Sequence, residues 1–138
     1  TRITILSKDG SRVLYTTPEL EKLKIWLRKN FPSKKDIRKY VKEKDKIELY
    51  GYFKKIKNFE LTKALFSHIR RKLQILSYFQ THKLIFDYDK CINNAVLSKG
   101  EKEKLRILSE FYNQRKKLSK WQINDYYSIA KKFSRKFK

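Results

Sequence analysis

Between Glu60 and Lys83, apolar residues recur at helical spacing with no glycine or proline to interrupt them: ELTKALFSHIRRKLQILSYFQTHK. At about 100° per residue, Leu61, Leu65, Ile69, Leu73, Leu76 and Phe79 share one side, with Phe66 and Ile75 at its margins. Lys63, Arg70, Arg71 and Gln74 share the other. The pattern predicts a central helix with an apolar stripe and a basic face. Lys72 departs from it by falling near the apolar centre; its stem is expected to lie along that surface while its amine reaches water or a phosphate.

Upstream, residues 2–16 (RITILSKDGSRVLYT) alternate apolar and polar positions at Ile3, Ile5, Val13 and Tyr15 around a Lys8-Asp9-Gly10 turn, which predicts a β-hairpin. Thr17-Pro18-Glu19 is a helix start, with Leu20, Leu23 and Leu27 as the stripe of a helix that runs to about Asn30 before Pro32. Ser33 can cap a second helix anchored by Ile37, Tyr40 and Val41. The stretch 46–58 suits strand or helix, Gly51 weakens both, and helix is the preferred reading. Residues 84–96 form a connector that starts with a short strand from Leu84 to Tyr88. Downstream, Ser98 with Glu101 and Ser119 with Gln122 have the spacing of capping boxes, and Leu118 with Ile123 that of a hydrophobic staple. These predict a closing helical hairpin, Lys99 to about Lys116 and Lys120 to about Lys136, with Ile123, Tyr126, Ala130 and Phe133 docked on the preceding helix. The fold class expected is mainly α (α+β): an N-terminal β-hairpin, then about five helices. No linker rich in Gly, Pro or Ser divides the chain, so residues 1–138 are expected to form a single domain, hairpin at 2–16 and helical over 17–138.

Charge changes the picture. Thirty-six Lys and Arg against 14 Asp and Glu give 138 residues a formal net charge of +22, where a domain of this size would ordinarily carry a magnitude of ~2–8. With 40% hydrophobic residues the chain is not a disordered basic tail. Such an excess repels itself, and a polyanion relieves the repulsion. Lysine far outnumbers arginine, which favours point-charge contact with phosphates over forked recognition of bases. A single cysteine, Cys91, precludes a disulfide within the chain and fits an intracellular, reducing compartment. Thr1 leaves two origins open, a trimmed initiator Met or a removed targeting segment, and the mitochondrial matrix is one candidate location. No apolar run is long enough for a transmembrane helix.

Candidate chemistry is sparse. Asp87 and Asp89 form a D-x-D pair that can hold Mg²⁺, but no third carboxylate, Gly-rich loop or catalytic lysine motif stands nearby, so turn capping or pairing with local lysines is the better reading. Cys91, His68 and His82 lack the spacing of a zinc site. Neither a catalytic constellation nor a cofactor or metal is expected. The basic residues, in contrast, recur on the outer faces of several predicted helices: Lys34, Lys35, Arg38 and Lys39 on one, Lys63, Arg70, Arg71 and Lys72 on the central one, and Lys131, Lys132, Arg135 and Lys136 on the last. These are the expected phosphate contacts. Tyr40, Tyr78 and Trp121, which sits outside its helix's apolar arc, are candidates to stack on unpaired bases. A membrane surface is a weaker partner, because the cations are spread over the chain rather than gathered in one anchor.

In general style this organisation resembles the small basic proteins of ribosomes, where lysine-rich helices and aromatic anchors pack into folded RNA. The resemblance is compositional and covers no diagnostic motif. It implies a non-catalytic RNA-binding component of a ribonucleoprotein, such as a mitochondrial or other organellar ribosome, with rRNA and neighbouring proteins as partners. The alternatives are a DNA- or RNA-binding accessory protein of a phage or mobile element and, further off, a small Mg-dependent nuclease.

Overall fold

The computed structural model describes residues 33–83 and 85–138. The hairpin expected over 2–16 and the helix over 17–30 lie outside the described residues. Among the described residues, five α-helices follow in chain order: α1 (Lys34–Lys44), α2 (Asn58–Thr81), α3 (Tyr88–Asn94), α4 (Lys99–Asn113) and α5 (Lys120–Arg135). There is no strand among the described residues.

Three of the helix starts are reciprocal capping boxes. Ser98 Oγ accepts from the Glu101 amide (3.1 Å) while the Glu101 carboxylate accepts from the Ser98 amide (2.8 Å). Ser119 and Gln122 repeat the exchange at 3.2 and 2.9 Å. Ser33 does the same with Asp36, whose shorter side chain still reaches back to the Ser33 amide at 3.4 Å. Each cap stabilises its helix by about 1 kcal/mol.

The α2 helix is the axis of the core. Leu65, Ile69, Leu73 and Leu76 are fully buried, Leu61 and Phe66 nearly so, and Phe79 and Ile75 are partly covered, as the apolar stripe predicts. Burial goes further round the helix than the stripe, however, because α1, α3, α4, α5 and the turn after Gly51 all pack on it. Thr62, His68, Lys72 and Ser77 are buried too.

Three expectations are corrected. First, 46–58 is not one helix. The α1 helix runs into a π turn, Asp45–Leu49, and a 3-10 turn comes next at Tyr52–Lys55. Gly51 separates them at φ −130°, ψ −86°, where an added Cβ would stand 2.8 Å from the Ile47 carbonyl oxygen. Second, the strand expected from Leu84 does not form over Ile85–Asp87. Asp87 Oδ1 accepts from the Lys90 amide at 2.9 Å and starts α3, because Tyr88, Cys91 and Ile92 have helical spacing and bury one face. Third, α5 docks mainly on α2, not on α4. The linker is tied to α2 by the bond from the Leu118 amide to Thr62 Oγ1 (3.2 Å), and Leu118, Ala130, Phe133 and Phe137 enter the core. α4 and α5 meet along a polar edge, where Tyr126 Oη donates to the Lys104 carbonyl (2.6 Å) and Lys104 Nζ donates to Asp125 (3.0 Å).

Candidate nucleic-acid interface

In α1 only Ile37 and Val41 are buried. That pairing, four residues apart, gives the helix a narrow inner edge and leaves Lys34, Lys35, Arg38, Lys39 and Lys42 on the outside. Tyr40, expected as an anchor, is exposed. The outer face adjoins the end of α5. Arg38 Nε donates to the Phe137 carbonyl at 2.6 Å, and Lys34 and Arg38 lie 5.2 and 5.6 Å from the Phe79 ring, which itself meets Phe137 edge to face. Further along, Lys131 of α5 lies 5.4 Å over the ring of Tyr50, just after the π turn. Two basic runs far apart in sequence therefore border one surface.

Lys35, Lys39 and Arg135 are exposed there and have no carboxylate within ion-pair distance among the described residues. Lys132 and Lys136 stand 3.8 and 3.6 Å from the carboxylate of Glu101, which is buried in its capping box. Burial would raise the Glu101 carboxyl. The Ser98 amide and hydroxyl, with Lys136 and Lys132, outweigh that and hold it below the ordinary range.

The remaining candidates are not part of this surface. Lys63 is exposed about 180° around α2 from Lys72. Arg70 lies 5.5 Å over Phe66, on the side that meets Tyr88 and Tyr112. Trp121 is exposed on the first turn of α5, about 15 Å along the axis from Lys131. Arg71 donates to Glu48 at 2.8 Å.

Lys72 is the clear departure from expectation. Its amine is turned inward. It is buried and donates to Asp45 Oδ1 (2.5 Å), Ser134 Oγ (2.7 Å) and the Ala130 carbonyl (3.0 Å), which uses all three of its protons. Ser134 Oγ also bonds Asp45. His68, one turn before Lys72, lies between two carboxylates: Nδ1 is 3.4 Å from Glu48 and Nε2 3.5 Å from Asp45 without a hydrogen bond. A cavity of about 20 Å³, bordered by Tyr40, Lys44, Glu48, His68, Arg71 and Lys72, opens beside this cluster, room for about one water. Burial would raise Asp45 and Glu48. The His68 ring beside it and hydrogen bonds from Lys72 and Ser134 hold the first below the carboxylate range, and a hydrogen bond with His68 and the Arg71 charge do so for the second. Burial pulls Lys72 down, and its hydrogen bond to Asp45 with the charges of Asp45 and Glu48 opposes that. Asp45, Glu48, His68 and Ser134 are the polar residues that sequence reasoning missed. The available signal was Lys72 at an apolar centre with His68 four residues before it on the same face.

Elsewhere the chemistry is quiet. Asp87 is spent on capping α3. Burial, then the Asp87 charge, pushes the Cys91 thiol up to about 12, so little thiolate forms. Among the described residues no three His, Cys, Asp or Glu converge as metal ligands, and no helix is long and apolar enough to cross a membrane. The chain matches no family model, and no curated protein or solved structure is significantly similar to it.

Proposed function

We propose that the protein is a non-catalytic RNA-binding component of a ribonucleoprotein, holding RNA by phosphate contacts along the outer face of α1 and the last two turns of α5. The observation that carries this reading is the division of the charges. Most nearby carboxylates are already engaged: Asp45 by Lys72, Glu48 by Arg71, Asp125 by Lys104, and Glu101 and Asp36 by their caps, while Glu43 on α1 is exposed without a cation partner among the described residues. Lys35, Lys39 and Arg135 are left solvent-facing without such partners, in a chain of net charge +22. A row of unneutralised cations on a rigid helical frame suits a regularly spaced polyanion. An rRNA of an organellar ribosome is the setting its lysine-rich composition suits best.

The test is an RNA titration across salt. With about six phosphates neutralised, log K should fall with log salt at a slope near −5 on duplex RNA and less on single strands. An affinity indifferent to salt would sink the reading, as would Mg²⁺-dependent degradation of the RNA by the pure protein.

A further inference from the structure

The turn that joins α1 to α2 carries two aromatic rings that the core does not use. Leu49 and Phe53 are buried at 2% exposure, yet Tyr50 and Tyr52 between them are 52% and 54% exposed. Neither hydroxyl has a hydrogen-bond partner among the described residues. Lys131 stands 5.4 Å from the centre of the Tyr50 ring, and Lys46, Lys54 and Lys55 are exposed on either side. The turn is also fixed. The Tyr50 amide bonds the Asp45 carbonyl at 3.1 Å, the Lys54 amide bonds Gly51 at 3.2 Å, and Asp45 is pinned to α2 and α5 by Lys72 and Ser134.

We infer that Tyr50 and Tyr52, with Lys131, form a stacking platform for unpaired RNA bases, so that the protein takes hold of a single-stranded segment beside the phosphates bound by α1 and α5. This rests on the RNA-binding reading and narrows it. Charge alone would be served by lysines. A ring face adds affinity only where a base face is free to lie on it, and a duplex hides its base faces within the stack. A ring already held in place by a braced turn loses little freedom when a base settles on it. The Lys131 ammonium at the ring suits the anionic backbone that accompanies each stacked base.

The test uses the full chain, a single-stranded RNA of about 12 nucleotides and a duplex of the same length, both within the usual span of such sites. Tyr50→Ala with Tyr52→Ala should weaken single-strand binding by roughly 10-fold or more and leave duplex binding unchanged. Tyr50→Phe with Tyr52→Phe should bind like wild type, because the ring face and not the hydroxyl makes the contact. Both residues are exposed, so thermal melts of all three proteins should coincide. If the alanine variant binds single strands like wild type, or loses equally on duplex, the platform is refuted and the phosphate reading stands. A wild type that binds duplex but not single strands has the same meaning. A wild type that binds neither overturns both.

Discussion

Lys72 holds Asp45 at 2.5 Å inside the protein, and the same ammonium reaches the Ala130 carbonyl at 3.0 Å. One cation on α2 therefore ties the π turn to α5. This decides where both borders of the basic surface lie, since Tyr50 comes directly after the turn and Lys131 directly after Ala130.

A buried ion pair contributes little net stability against a well-packed apolar substitute, but an orphaned member is costly. Lys72→Met should cost ~3–5 kcal/mol in urea denaturation, because Asp45 is left buried without its cation. Adding Asp45→Asn should recover part of that loss. The salt slope of RNA binding should not change in either protein, which separates Lys72 from the surface lysines.

The same cluster sets a response to acid. Asp45 and Glu48 titrate lower folded than unfolded, where their ordinary values are 3.8 and 4.5. Their contribution is therefore fully present above about pH 5 and is lost as pH falls through the lower folded values. Self-repulsion of the +22 chain adds to the loss. Melting temperature should drop steeply below about pH 5, and less steeply in Asp45→Asn with Glu48→Gln, which starts lower.

Removal of Lys35, Lys39, Lys131 and Arg135 together, each to alanine, should leave the melting temperature close to wild type and flatten the salt slope by up to ~3 to 4 on duplex RNA, at ~0.9 per lost contact. The same number of alanines at Lys63, Lys90, Lys102 and Lys117, none of them on the α1–α5 surface, should flatten it far less. Equal effects would mean that binding depends on total charge and not on this surface.

Gly51 tests the turn. A Cβ there meets the Ile47 carbonyl at 2.8 Å, and that backbone is part of the π turn. Gly51→Ala should destabilise by about 1–3 kcal/mol as the backbone shifts. Gly100 has open space around it, so Gly100→Ala, inside α4, should stabilise by up to ~1 kcal/mol. Chemical denaturation of the two variants reads both effects.

The sequence disclosed features whose partners are close along the chain. Ser98 with Glu101 and Ser119 with Gln122 are local exchanges, and the α2 stripe needs only a period. What it hid depends on residues far apart. Lys72 looks like a misplaced surface lysine until Asp45 and Ser134, 27 residues before and 62 after, are brought to it. Docking of α5 on α2 instead of α4 turns on Thr62 receiving the Leu118 amide, 56 residues away. Of the expected phosphate contacts, the α1 group and Lys131 of α5 border one surface, Lys132 and Lys136 turn to Glu101 of α4, and Lys63, Arg70, Arg71 and Lys72 were grouped only because one helix carries them. Amphipathic reading assumes a single wet side, and α2 is packed on several.

The bond from the Tyr50 amide to the Asp45 carbonyl spans five residues where an α-helix would span four. Lys44 and Asp45 both keep right-handed helical torsions, so α1 passes into this wider turn without a break. The segment is in effect a helix with one residue inserted. Loss of a single exposed residue there, Lys46 for instance, would close an ordinary turn and rotate α1 by about 100° against the chain beyond Leu49. Either Ile37 and Val41 would swing away from the core, or Tyr50 would leave Lys131. Chain length across Asp45–Leu49 is therefore under tighter constraint than the identity of its exposed side chains, and natural variants should change residues there far more readily than they gain or lose one.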